Sequence, residues 1–316
     1  AIMGVTSKGD QPLFHPDDKN ISIICNGEIY NYKILAKKYG YKLETGSDCE
    51  IILHLYKEFG FKKTIQFLDG VFMVVLFDNN NNKLFAARDP YGVRPGFIGY
   101  SNEGIFLASE AKSLTELSDK LIPFKPGSLW DYDTNKFYQF YSPKPISLTK
   151  NTEVDIIEGI KTRLSDAVKK RMMADREVGS LLSGGLDSSL ISALVNKYSN
   201  GKLKTFSIGL PDSVDLQYAS LVSKHLETDH FNIEISAQTF LNSIEKVIYK
   251  IESYDTTTVR ASVGNYLVSK YIRENSDCKV IFNGDGSDEV CGGYLYMRDA
   301  PSPNEFQKEC EKLVSE

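Results

Sequence analysis

No run of eighteen apolar residues occurs in the 316-residue chain, which removes a membrane-spanning helix from the expectations. A basic start followed by an apolar stretch is missing too: the chain opens AIMGVTSKGD, and no secretory signal is expected. Positive charge is not in excess. Against 42 Asp and Glu stand 37 Lys and Arg, a formal net charge of -5. That balance excludes a general nucleic-acid binder, which carries a basic face. The five cysteines (Cys25, Cys49, Cys278, Cys291, Cys310) show no paired spacing. An odd, dispersed set reads as reduced thiols of a cytoplasmic protein, not as a disulfide frame or a zinc site. No internal repeat appears, and the single low-complexity tract is Asn79 to Asn82. What remains is globular: 41% hydrophobic and 25% charged residues, in a chain longer than one compact core usually spans. Two domains are expected.

The first part is strand-rich. ISIICNG (Ile21–Gly27) reads as a strand entering an Asn-Gly turn, and VFMVVLFD (Val71–Asp78) as an apolar, β-branched strand. After the asparagines KLFAARD returns, the pattern of an antiparallel hairpin. A third and fourth pass, GFIGY and GIFLASE, are joined by SNEG. The helical stretches NYKILAKKYG (Asn31–Gly40) and SDCEIILHLYKEFG (Ser47–Gly60) each stop at a glycine. An α+β domain follows for residues 1–142, an antiparallel sheet with helices laid on it. The linker is placed at 143–152, where SPKPISLTKNT supplies two prolines and no periodicity. For residues 153–316 the long amphipathic EVDIIEGIKTRLSDAVKKRM leads into alternating strands and helices. Among them QTFLNSIEKVIYKI and SVGNYLVSKYIREN read as single helices. Such alternation predicts an α/β domain, a parallel sheet covered on both faces.

One loop in that second domain stands out. EVGSLL ends in SGGLDSS before LISALVNKY starts a helix, which places Gly184, Gly185 and the hydroxyls of Ser183, Ser188 and Ser189 at the carboxyl end of a strand. Ligands of open α/β sheets sit there, and helix N-termini favour anions. The glycines let backbone amides approach a phosphate. Asp187 suits phosphates if Mg2+ stands between them. The plainer alternative is a tight turn whose Asp187 or Ser188 caps the helix. The lysine of the Gly-Lys-Ser/Thr loop is absent, which points to a different use of ATP, with pyrophosphate leaving. In the first domain CNGEIYNY (Cys25–Tyr32) and TGSDCE carry Asn26, Gly27, Glu28 and Asp48. There Ser47 and Glu50 read as a capping box. An acid in such a first turn stays ionised and can grip an ammonium group.

SGGLDSS resembles the pyrophosphate-binding loop of ATP pyrophosphatases. Together with TFSIGL, YDTTTVRAS, NGDGSDEVCGGYLY and APSP it resembles the synthetase domain of glutamine-dependent asparagine synthetases. CNGEIYNY, TGSD and RDPYGVRP, in that order, are similar to class II glutamine amidotransferase domains. The resemblance covers nearly the whole chain. It implies an Ntn-like amidotransferase fold followed by an adenine nucleotide α-hydrolase-like fold. It further implies a ligase that makes asparagine from aspartate, ATP and Mg2+, with glutamine or ammonia as nitrogen donor, through β-aspartyl-AMP. Under it Asn26 and the Gly27 amide form an oxyanion hole, while Glu28 and Asp48 hold the amino end of glutamine. Ser183, Gly184, Gly185, Asp187 and Ser188 hold pyrophosphate and Mg2+. Leu181 and Ile208 line an adenine pocket, Asn283 and Gly284 lie against the nucleotide, and Arg260 meets aspartate or phosphate. Without the resemblance, Leu181 and Ile208 read as core and Arg260 as half of a surface ion pair. Arg88 and Asp89 read as structural, a buried ion pair, and Asp288 and Glu289 as caps. A homodimer is one assembly open to such a chain; nucleic acid and membrane are not expected partners.

Two departures accompany the resemblance. The family's nucleophile is an N-terminal cysteine, where this chain has Ala1, so the amidotransferase half reads as incomplete, with Cys25 a core thiol. Asp285 stands where the family usually carries glutamate, a residue tied to adenylate formation and ammonia attack. The chain also reads as stopping short of the family's last helices. Two other readings remain open: a related β-lactam-type synthetase with another acceptor, and a non-catalytic relative with a sensing role.

Overall fold

The protein is described by a computed structural model, in which the described residues are 3, 4, 6–142 and 151–315. The chain forms two compact units, Ala1–Lys144 and Pro145–Glu316. Of the linker expected at 143–152, only Asn151 and Thr152 belong to the described residues. No helix among them is long and apolar enough to cross a membrane.

The first unit begins with β1 (Leu13–His15) and β2 (Asp18–Ile29), followed by α1 (Tyr32–Tyr39), α2 (Glu50–Phe59) and α3 (Phe61–Phe67). Seven strands complete it: β3 (Gly70–Asp78), β4 (Lys83–Arg88), β5 (Phe97–Ser101), β6 (Gly104–Ala108), β7 (Lys120–Pro123), β8 (Ser128–Asp131) and β9 (Lys136–Gln139). They make two antiparallel sheets, ordered β1-β2-β3-β4-β8-β9 and β6-β5-β7. Met73, Ala86 and Trp130 of the larger sheet pack with Ile98 of β5 and with Phe124, so the two sheets share one core. On the other face α2 buries Ile51, Ile52, Leu53 and Leu55 completely. The β3–β4 hairpin forms with Asp78 opposite Lys83, as the asparagine run predicts. GFIGY and GIFLASE also pair, but with β7 they build the second sheet instead of extending the first; β8 takes the place beside β4. Strands β7 to β9 have four residues each, too few for a two-residue period to show in sequence.

One expectation fails instructively. The Asn26-Gly27 pair is not a turn: β2 runs straight through it to Ile29, with Asn26 opposite Met73 and Gly27 opposite Phe72. Gly27 is required by proximity. A Cβ there would stand 2.2 Å from the Val71 carbonyl oxygen and 2.6 Å from Phe72 Cα.

The second unit contains α4 (Glu153–Arg171), β10 (Glu177–Leu181), α5 (Leu186–Tyr198), β11 (Lys204–Gly209), α6 (Val214–Leu226) and β12 (Asp229–Glu234). Then come α7 (Ala237–Asn242), α8 (Ile244–Ile251), α9 (Thr256–Asn275), β13 (Cys278–Phe282), α10 (Ser287–Cys291) and α11 (Pro303–Ser315). The four strands are all parallel, in the order β12-β11-β10-β13. Val168 of α4 and Val195 of α5 cover one face with Phe282; Val268 and Ile272 of α9 cover the other with Phe206. QTFLNSIEKVIYKI is two helices, broken at Ser243, whose hydroxyl donates to the Thr239 carbonyl at 2.9 Å and competes with the helical backbone. Helix α9 starts six residues before the expected Ser262, because Asp255 accepts from both the amide and the hydroxyl of Thr258 at 2.8 Å. The motif YDTTTVRAS is therefore largely helical. The first half of α4 keeps its apolar Val154, Ile157 and Ile160 exposed.

Strand order fixes where chemistry can occur. From β10 the chain proceeds outward to β11 and β12, then returns to place β13 on the other side of β10. β10 and β13 are parallel neighbours, so their carboxyl ends lie side by side, where ligands of such sheets bind. Since α9 enters β13 through only Ser276 and Asp277, its first turns lie on that same side.

Candidate functional site

The loop after β10 has the shape its glycines suggest. Gly184 adopts φ +84, a left-handed conformation. A Cβ on it would lie 2.5 Å from Tyr218 Cβ and 2.6 Å from the Ala219 amide, so the loop is pressed against α6. Its polar groups bond among themselves. The Ser183 amide donates to Ser188 Oγ at 3.1 Å, the two hydroxyls lie 2.9 Å apart, and the Gly185 amide donates to Ser183 Oγ at 3.3 Å. Gly185 is the N-cap of α5, and no side chain caps that helix, so neither Asp187 nor Ser188 is a conventional cap. The hydroxyl of Ser189 is buried without a partner among the described residues, and so is turned away from the loop's surface role expected for it.

The loop after β13 meets this one. A Cβ at Gly284 would sit 2.9 Å from the Ser188 amide and 3.0 Å from Asp187 Cβ, so only glycine admits the close approach. Ser287 Oγ donates to Asp187 Oδ1 at 2.7 Å, across 100 residues of sequence. Asn283 Nδ2 donates to Asp285 Oδ2 at 2.8 Å, which holds the exposed Asp285 carboxylate at the rim. Glu289 accepts from the Tyr294 hydroxyl, a local contact within its own turn. Leu181 and Ile208 lie near the carboxyl ends of adjacent strands, half-buried against the Phe206 cluster. Arg260 is exposed in the second turn of α9 and forms no ion pair with a described residue, contrary to the surface-pair reading.

In the first unit the corresponding residues cluster at one edge of β2. Outward amides alternate along that strand. The Cys25 amide donates to Gln11 Oε1 at 2.6 Å, and Gln11 Nε2 returns a bond to the Cys25 carbonyl at 2.8 Å. Two pairs further on, the Ile29 amide donates to Asp48 Oδ2 at 2.5 Å. Gly27 lies between them, and the alternation turns its N–H to the same edge. The Asn26 side chain points to the opposite face, donating to Ser109 Oγ at 3.1 Å. There it helps line a cavity of about 210 Å³ with Gln11, Met73, Leu107 and Ser109.

Both acids are spoken for. Buried Glu28 accepts from Arg94 at 2.5 Å. Burial drives the Asp48 pKa up to about 6, against the opposing bond from Ile29 and with the help of nearby Glu28. Asp48 therefore keeps its proton to a higher pH than a surface first-turn acid would. The capping box does not form either. Cys49 is the N-cap of α2, and buried Glu50 reaches back to the amides of Glu44 and Thr45 at 2.9 and 2.7 Å. Burial raises the pKa of Glu50, but bonds from His54, Thr45 and Glu44 outweigh it and bring it to about 2. Cys25 is a buried thiol beside Cys49, whose pKa the Cys25 contact and burial push upward. Ala1 lies outside the described residues.

Arg88 and Asp89 are structural, though not as an ion pair. Arg88 donates to the carbonyls of Arg94, Phe124 and Gly92 at 2.6 to 2.7 Å. Asp89 accepts from the amides of Phe72, Tyr91, Val93 and Arg94 at 3.0 to 3.2 Å. Together they set the turn that carries Arg94 to Glu28. Sequence reasoning missed Arg94, Gln11, Ser109 and Ser287. Arg94, Ser109 and Ser287 lie inside RDPYGVRP, GIFLASE and NGDGSDEVCGGYLY, but their roles, like that of Gln11, emerge only through space.

Residues 1–154 match the family model of the glutamine amidotransferase domain, and residues 159–312 match that of asparagine synthase. The glutamine-hydrolyzing asparagine synthetase of Gallus gallus is 40% identical over 340 residues, covering 98% of this chain and 60% of that protein. The Rattus norvegicus protein of the same name is 42% identical with the same coverage. That of Zea mays is 40% identical over 325 residues, covering 99% of this chain and 55% of the relative. The chain thus spans about three-fifths of the length of these relatives. With both models matched in this order and the identity carried along nearly the whole chain, the protein belongs to the asparagine synthase family, its glutamine amidotransferase domain preceding its asparagine synthase domain.

Proposed function

We propose that the chain takes part in ATP-dependent synthesis of asparagine from aspartate, with nitrogen from glutamine or ammonia, and that β-aspartyl-AMP is the intermediate. The observation that carries the reading is the meeting of the β10 and β13 loops at the carboxyl ends of neighbouring parallel strands. There Gly284 lies against Asp187 and Ser188. The domain limits that go with it are 1–142 and 153–316, and the dispersed reduced thiols favour the cytoplasm.

In this reading the hydroxyls of Ser183 and Ser188 exchange their mutual bonds for the outer phosphates of ATP, joined by the Gly184 and Gly185 amides. Leu181 and Ile208 contact the adenine, with Asn283 and Gly284 against the nucleotide. Asp187 would hold Mg2+. The donor set fits an ion completed by phosphate oxygens: Asp187 Oδ1 accepts from Ser287, Oδ2 carries no hydrogen bond among the described residues, and no protein-only cluster of metal-binding side chains occurs among them. When bound, the ion supplies charge neutralisation. Arg260, without an ion pair among the described residues, orients the aspartate carboxylate toward the α-phosphorus. Asp285, anchored by Asn283, stands at the rim where ammonia meets the acyl adenylate. Most of the work is positioning and charge compensation.

In the amidotransferase half, the Asn26 side-chain amide and the Gly27 N–H would stabilise the oxyanion of glutamine hydrolysis. Each such donor is worth about a hundred- to a thousand-fold in rate. Glu28 and Asp48 would receive the substrate's amino group, Glu28 by sharing Arg94 and Asp48 as the carboxylate it becomes above about pH 6. Product analysis tests the whole. Aspartate, ATP and Mg2+ with ammonia or glutamine are expected to give asparagine and AMP in equal amounts; ADP as the nucleotide product would overturn the reading.

A further inference from the structure

The second unit carries a concentration of positive charge far from the β10 and β13 loops. Lys246 and Lys250 stand one turn apart on α8, facing Tyr266, Ser269, Lys270 and Arg273 along one side of α9, around a cavity of about 400 Å³. The seam below is apolar, closed by Val247, Val259 and Val263. Lys246 Nζ lies 5.8 Å from the centre of the Tyr266 ring, which holds that ammonium over the groove. Glu274 is the single acid in the lining, so four cations face one carboxylate in a chain of net charge -5. None of the four forms an ion pair with a described residue.

Helix dipoles explain part of this. Lys250 and Arg273 occupy the last turns of their helices, where a cation is favoured. Lys246 and Lys270 hold no such position, yet they point into the same space. Charges gathered at mutual cost mark a place where an anion repays the repulsion.

We propose that the α8–α9 groove binds a small anion bearing two or more phosphate groups. The arginine fork suits a phosphate bidentately, lysines add point charges, and the Ser269 and Tyr266 hydroxyls add neutral donors. The volume lies in the range of small-molecule sites, about 300 to 1,000 Å³. This is not the β10 loop by another route. Arg273 follows Arg260 by thirteen residues of α9, about 20 Å at 1.5 Å per residue, toward the amino ends of the strands. Free pyrophosphate and the phosphate tail of a nucleotide offer the same chemistry.

Calorimetric titration of the full chain with pyrophosphate, and separately with ATP, tests this at about 50 mM salt, where screening is weak. One binding component should weaken at least about tenfold in the Lys246→Glu/Arg273→Glu double variant and remain intact in Ser183→Ala. Equal affinity for both probes assigns the site to phosphate alone; about tenfold tighter ATP assigns it to a nucleotide. Because charge reversal can disturb the helix pair, Lys270→Gln with an unchanged far-ultraviolet circular dichroism spectrum serves as a milder variant. It should weaken the same component about two- to fivefold, a single charge contact. Titrations that superimpose for the parent and a folded Lys270→Gln/Arg273→Gln variant overturn the proposal. So does a short RNA duplex that binds the groove more tightly than either probe.

Discussion

The two candidate sites spend their polar groups differently. In the first unit Glu28 and Asp48 are buried, and each is already engaged, one by Arg94 and one by the Ile29 amide. In the second, Ser183, Gly185, Asn283 and Asp285 are exposed, and their bonds run to one another across a few residues. A buried, committed carboxylate is set by the fold and changes it when removed. An exposed hydroxyl pair can trade its partner for a ligand at little cost. Stability and function should therefore separate at the polar side chains of the second unit and stay entangled in the first.

The largest expected effect sharpens that contrast. Asp187→Ala should abolish AMP formation while costing only the Ser287 bond, about 1 kcal/mol of stability, and should leave glutamine hydrolysis intact. Asn26→Ala should do the reverse, cutting hydrolysis about a hundred- to a thousand-fold and sparing synthesis from added ammonia. Paired assays of AMP and glutamate check both. Next comes Gly184→Ala, expected to cost about 3 kcal/mol from its positive φ and the Tyr218 clash. Gly185→Ala, at φ -69 with its nearest atom 3.4 Å away, should stay within about 0.5 kcal/mol. Urea denaturation separates them.

Asp48→Asn comes third. The folded carboxyl titrates near 6, against 3.8 ordinarily, so between those values the folded chain keeps a proton that the unfolded chain has released. Stability falls as pH rises through that window, and above it the ionised Asp48 costs up to about 3 kcal/mol. The asparagine variant still accepts from Ile29 and should lack that slope; parallel curves for parent and variant between pH 4 and 7 would refute it. Smallest is Gln11→Ala. Two bonds to Cys25 vanish, for about 1 to 2 kcal/mol, and hydrogen exchange should quicken at Cys25 and spread to Gly27.

Much of the second unit is legible from its residues. The β-branched runs, the helix alternation and the Ser-Gly-Gly loop are local patterns, and the structure keeps them local. The errors lie where tertiary contacts overrule local ones. Asn-Gly is a strong hairpin signal, but at Gly27 the close passage of Phe72 decides, and the strand continues. Ser47 and Glu50 spell a capping box, yet Glu50 finds better donors at Glu44 and Thr45. The Arg88-Asp89 pair shows adjacent opposite charges that never needed each other, because backbone groups satisfy both. Gln11 and Ser287 carry no sequence signal, since their bonds join positions 14 and 100 residues apart.

Gln11 has a consequence beyond the site. β1 stops pairing with β2 at Leu13, opposite Ile23, and past that point no strand among the described residues pairs with that edge of β2. A bare margin invites another chain to add itself as a strand. By placing one amide group against both backbone groups of Cys25, Gln11 fills the first vacant rung, and Asp48 fills the one at Ile29. The interval left between them is the rung of Gly27, whose carbonyl faces the Cys49 thiol at 3.9 Å, and it is too short for a stranger's strand.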